Sequence, residues 1–179
     1  MNNKNTLLCH FLAALAYRTQ KSLRDAPEGF GTFRAADGVR TPAELVRHMT
    51  SVLGYARTLF DGGRYWPDPL PSLAEEVERF HAMLESLADR IGASDAAAQL
   101  ASVSAEVLLQ NPFADAMTHA GQIALLRRLA GAPVAPENFV RAQISADRLG
   151  VAQPDPVSPD AVWPEAPPGW VPPVDGYRR

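Results

Sequence analysis

The chain of 179 residues has a single cysteine, Cys9, and no large excess of either charge. It also shows no alternating strand pattern and no internal repeat. One thiol excludes an internal disulfide and suits a reducing compartment. The apolar stretch Leu7 to Ala16 is interrupted by Cys9-His10. It falls far short of the roughly 20 residues a membrane span requires. With one lysine before it, it reads as an amphipathic helix rather than a secretory leader. Seventeen basic against twenty acidic side chains give a formal charge of −3, which provides no basic field for nucleic acid. The absence of period-two alternation excludes a half-buried sheet. What remains is 46% hydrophobic and 21% charged, the make-up of an ordinary soluble globular domain. A cytoplasmic location is expected, with neither membrane nor nucleic acid as partner.

The chain is rich in helix signals. Leu8, Phe11, Leu12, Leu15 and Ala16 share one face and predict a helix over Asn5 to Arg24. The Gly- and Pro-containing stretch from Ala26 to Arg40 reads as a loop that tucks Phe30 and Phe33 against the core. Thr41-Pro42-Ala43-Glu44 is a capping box with proline at the first helical position. It opens a helix buried through Leu45, Met49, Val52, Leu53, Ala56, Leu59 and Phe60 and stopped by Gly62-Gly63, and His48 falls on that buried face. Asp61 to Pro71 is a proline-containing connection long enough to run the length of a bundle. Ser72-Leu73-Ala74-Glu75 is a second capping box. The helix after it buries Leu73, Val77, Phe80, Leu84, Leu87 and Ile91 and ends at Gly92. A short helix is expected near Val103 to Leu109, and a short helical piece within Pro136 to Leu149.

The stretch Asn111 to Gly131 stands at the centre of this reading. Asn111-Pro112 predicts a helix start, and Arg127, Arg128, Gly131 and Pro133 predict its end. Phe113, Met117, Ala120, Ile123 and Ala124 form its apolar face. Asp115, His119 and Gln122, at i, i+4 and i+7, form a polar stripe. The expected fold is all-α: a four-helix bundle with a long crossover over residues 1–150, followed by a Pro-rich C-terminal extension, 151–179. Eight of the sixteen prolines fall in that extension. Trp163, Trp170 and Tyr177 argue that it packs on the bundle or on a partner subunit rather than remaining a solvated tail.

His48, Asp115 and His119 all lie within about two turns of the expected helix starts. Parallel helices would bring them to one level, where two imidazoles and a carboxylate suit a divalent ion with open positions. Each residue also has a plainer reading. A buried histidine in a bundle is commonly a hydrogen-bonded core residue, and Asp115 near a helix start complements the dipole. His81, beside Phe80 with Glu85 one turn on, reads as a boundary residue. Nothing pairs His10 with the others.

RTPAELVRHMTSVLGYA (Arg40 to Ala56) together with LLQNPFADAMTHAGQIALLRRLAG (Leu108 to Gly131) resembles the DinB-like, or YfiT-like, superfamily of metal-dependent proteins. The likeness spans residues 1 to about 150. It implies a four-helix bundle and a metal site with one histidine from the second helix and an H-x3-H pair from a later one. His48 and His119 match that pattern, and Asp115 replaces the remaining histidine. The resemblance implies zinc, nickel or iron at the site and a homodimer. It also implies a metal-dependent thiol-transferase or hydrolase acting on a small molecule or thiol cofactor. Gln122 would then support the site and Tyr55 line its cavity. The alternative is a non-catalytic, stress-associated bundle that dimerises and binds a small ligand or partner.

Overall fold

The computed structural model describes residues 3–93 and 103–156, and these are helical with no strands. Helix α1 (Asn3–Leu23) buries Leu8, Leu12, Leu15 and Ala16, the predicted face. Helix α2 (Pro42–Asp61) starts on the complete Thr41–Glu44 capping box and ends at Gly62, whose positive φ of 72° reverses the chain. Helix α3 (Leu73–Gly92) has Ser72 as its cap, the hydroxyl accepting from the Glu75 N–H. Phe30 is buried in a short 3₁₀ turn, Phe30–Thr32, and Phe33 packs against the core from the same loop.

The fourth rod departs from the sequence reading. It starts at Ser104, not Asn111: the Ser104 hydroxyl accepts from the Val107 N–H and caps α4 (Ala105–Leu108). The chain then passes through a π-helical segment, Leu109–Phe113, directly into α5 (Ala114–Leu129). Pro112 causes the difference. It lacks an N–H for a bond four residues back and its ring crowds that carbonyl, so the helix widens locally instead of stopping. The Ala114 N–H bonds to Leu109 O across this wide turn. Consequently Asp115 is not close to a free helix start, and its dipole role loses its basis. The buried face is also rotated from expectation, with Phe113, Ala116, His119, Ala120, Ile123, Leu126 and Arg127 buried and Met117 only partly so.

Contacts at the helix ends fix the topology. Asn5 Nδ2 donates to Ile91 O, so α1 and α3 are antiparallel. Arg90 pairs with Asp61 at 2.6 Å, placing the ends of α2 and α3 together and making them parallel. Lys4 meets Glu106, and Arg127 meets Ser22 and Arg24, so α1 and α5 run the same way. The bundle is therefore up-down-down-up, and 62–72 is the expected long crossover returning along its length. Tyr65 on the crossover packs its ring against Gly54 of α2. Glu76, almost wholly buried, accepts from the Leu70 N–H and pairs with Arg79, anchoring the far end of the crossover.

The terminal segment covers the bundle, and the short helical piece expected within Pro136 to Leu149 is a 3₁₀ turn, Phe139–Arg141. His81, expected at a boundary, is only 2% exposed because Leu149 closes over it and accepts from its Nδ1–H at 2.6 Å. His10 is exposed. Of the extension, residues 151–156 are described. There Arg24 binds the Asp155 carboxylate and the carbonyls of Gln153 and Pro154. Trp163, Trp170 and Tyr177 lie outside the described residues. No described helix is long and apolar enough to cross a membrane.

Candidate metal centre

His48 sits two turns into α2, and Asp115 and His119 are one turn apart on α5. Because α2 and α3 are parallel, α3 opposes α1, and α1 parallels α5, helices α2 and α5 run antiparallel. The expectation of parallel helices is thus reversed, yet the three side chains still meet. The reason is the longer fourth rod: its helical turns begin at Ser104, which puts His119 near its middle rather than near an end.

One candidate ligand atom from each of the three residues lies within 4.8 Å of the other two. His119 Nε2 is 3.4 Å from Asp115 Oδ1 and His48 Nε2 is 3.7 Å from Asp115 Oδ2. The two rings meet edge to face, centroids 4.8 Å apart. These separations are too long for strong hydrogen bonds between the three groups. Their ligand atoms converge on a shared space without satisfying one another.

The set also fits a metal dimensionally. Two atoms bonded to one ion at ~2.0–2.2 Å can be at most ~4.4 Å apart. The longest separation therefore closes by a side-chain adjustment of about half an ångström on loading. Gln122 prepares one ligand: its Oε1 lies 2.7 Å from His119 Nδ1. An amide oxygen only accepts, so Nδ1 carries the proton and Nε2 presents its lone pair towards Asp115.

Burial grades across the site. The His119 side chain is 9% exposed, against 33% for His48 and 42% for Asp115. His48, placed on the buried face by its spacing, stands at the edge of that face. Its imidazole pKa is held below the ordinary value, mainly by desolvation, then by Arg40 and His119, with Asp115 opposing. The neutral form that a metal needs is favoured as a result. Tyr55 is half exposed and lies two turns along α2 from His48.

A cleft of about 400 Å³ opens beside His48, lined by Arg34, Arg40, Glu44, Arg47, Trp66 and other residues. The sequence reading missed these arginines. They come from a loop, the residue before a helix cap and the helix itself, so no local run of positive charge announced them.

No protein-family model, curated protein or solved structure matches the chain.

Proposed function

We propose that this chain binds a divalent metal ion through His48, Asp115 and His119. In this reading it is a metal-dependent enzyme of the DinB-like kind, carrying out group transfer to or from a thiol, or hydrolysis. One observation carries the proposal: two imidazoles and a carboxylate converge without hydrogen-bonding one another, and the more buried imidazole is already held in the ligating tautomer by Gln122. Two nitrogens and one oxygen suit zinc, nickel or ferrous iron. Three protein ligands leave positions for water or substrate, and a bound ion would supply Lewis-acid activation or hold a thiolate there.

The residues divide the work. His119 is the buried ligand, held by Gln122, while the part-exposed His48 and Asp115 face the side from which a small molecule arrives. Asp115 contributes negative charge, which offsets part of the ion's charge and favours its retention.

The test is metal analysis of protein purified without a histidine tag, followed by zinc titration of wild type and His48→Ala. Stoichiometric zinc in wild type, lost or sharply weakened in His48→Ala with the helical circular dichroism unchanged, supports the reading. Equal, weak binding by both proteins overturns it. A second reading, a non-catalytic bundle that pairs with another copy, draws on Leu125 and Leu129 of α5, which are 50% and 56% exposed beside Val39. Its sign would be a dimer in solution together with no metal.

A further inference from the structure

The chain carries a net charge of −3, yet the cleft beside His48 gathers three arginines and one carboxylate. That carboxylate is already engaged. Glu44 Oε2 accepts from the Thr41 N–H at 2.7 Å in the capping box, and the same side chain pairs with Arg34 at 3.3 Å. The Arg34 guanidinium also donates to Val39 O. Arg34 and Glu44 therefore neutralise one another and brace the rim.

Arg40 and Arg47 have no hydrogen-bond or ion-pair partner among the described residues. Arg47 directly precedes His48 on α2, and Arg40 lies close enough for its charge to act on the His48 ring. Trp66 of the crossover, 89% exposed, and Pro67 line the same cleft. A tryptophan this exposed offers a flat apolar surface that no neighbour uses. Two guanidiniums without described partners, in one cleft with such a surface, offer bidentate donors for an anion, and the indole offers a stacking wall for the body attached to it.

We infer that this cleft binds a small organic anion, through a carboxylate or phosphate group held by Arg40 and Arg47, with its body against Trp66. The inference rests on the metal reading in one respect, that the anion is the substrate brought to the ion. Its binding to the arginines does not depend on metal. His48 joins the two features, since it lines the cleft and belongs to the ligand set. A ligand anchored at the arginines thus lies beside His48, one of the three candidate ligands. Carboxylates and phosphate esters share the chemistry that the guanidiniums recognise, so both are tested.

The experiment is calorimetric titration of the full chain, metal-free and zinc-loaded, with benzoate and with phenyl phosphate. Benzamide serves as the uncharged isostere of benzoate. At least one anion should bind saturably, with benzamide at least tenfold weaker. The preferred anion identifies the group. In an Arg40→Gln/Arg47→Gln double variant the anion should bind at least tenfold more weakly, while zinc affinity, titrated separately, is not reduced and the helical circular dichroism is unchanged. Trp66→Ala should weaken both anions and leave zinc affinity alone. Benzamide binding as well as benzoate, unchanged anion affinity in the double variant, or no anion binding to the wild type would each overturn the inference. A wild type that binds the anion but not zinc supports the cleft and sinks the metal reading alone.

Discussion

Gln122 Oε1 lies 2.7 Å from His119 Nδ1, one turn along the same helix, and this contact decides which nitrogen of the buried imidazole faces Asp115. Gln122→Leu leaves that proton unpaired and frees the ring to rotate or change tautomer. Partners of this kind are typically worth about 10–100-fold in metal affinity. The expected result is a zinc affinity lowered by about tenfold or more, with little change in the urea midpoint, because Gln122 is exposed. Unchanged zinc affinity would show that the contact does not orient the ligand.

The start of the fourth rod yields a paired test. Ser104 caps α4, whereas Asn111 is exposed within the π segment and caps nothing. Ser104→Ala should cost about 1 kcal/mol in urea unfolding. Asn111→Ala should stay within about 0.5 kcal/mol of wild type. The reverse order would mean that the helix begins at Asn111 after all.

Much of the architecture was legible because it is written in local chemistry. Thr41 and Ser72 announce helix starts through side chains that bond N–H groups three residues on, and Leu73 to Ile91 show their buried face by spacing alone. The π segment was not legible, because an Asn-Pro pair reads as a start signal and only tertiary packing allows a proline to be carried through. His48, Asp115 and His119 were found as ligand-type residues on helices. Their meeting depends on the antiparallel pairing of α2 and α5, which local sequence does not encode. Arg127 shows the same limit. It reads as a helix-end signal in a last turn, but it is buried and donates to the carbonyls of Ser22, Arg24, Asp25 and Ala132, fastening the end of α1.

Gly54 lies six residues beyond His48, where a Cβ would stand 2.0 Å from the Tyr65 ring. In an exposed helix Gly→Ala gains up to about 1 kcal/mol. Here it should instead cost about 1–3 kcal/mol by overpacking, since Tyr65 must leave its seat. The crossover also carries Trp66, so anion binding in the cleft should weaken as well. A thermal midpoint equal to or above wild type would show that Tyr65 gives way freely.

His81 predicts a pH dependence. Burial lowers its pKa from the ordinary 6.5, with the bond to Leu149 O opposing. The unfolded chain therefore takes up the proton first as pH falls. Stability is fully present above about 6.5 and is lost as pH drops from there towards the folded value. His48 is lowered too and adds to the same slope in metal-free protein. Urea midpoints between pH 7.5 and 5.5 should fall in wild type and fall less in His81→Gln, which keeps a donor for Leu149. Identical slopes in the two proteins would remove His81 as a cause.

Asp115 separates a working metal centre from an ion-pair cluster. If it ligates, Asp115→Ala removes one of three ligands and should weaken zinc and nickel sharply while the bundle stays folded. Asp115→His should create the three-histidine set that the DinB-like resemblance implies and tighten both ions, because imidazole suits them better than carboxylate does. That gain must depend on His48, since a third imidazole contributes only where the other two already converge. The Asp115→His/His48→Ala double variant should therefore fall well below Asp115→His alone. If Asp115 serves only the two histidines as a counter-charge, the order changes. Alanine then leaves metal affinity where it was, and histidine adds none that His48→Ala removes. Helix-dipole complementation cannot stand in for either outcome, because α5 continues directly from the π segment and offers Asp115 no free N–H groups. Titration of zinc and nickel into all four proteins, with circular dichroism on each, distinguishes the two cases.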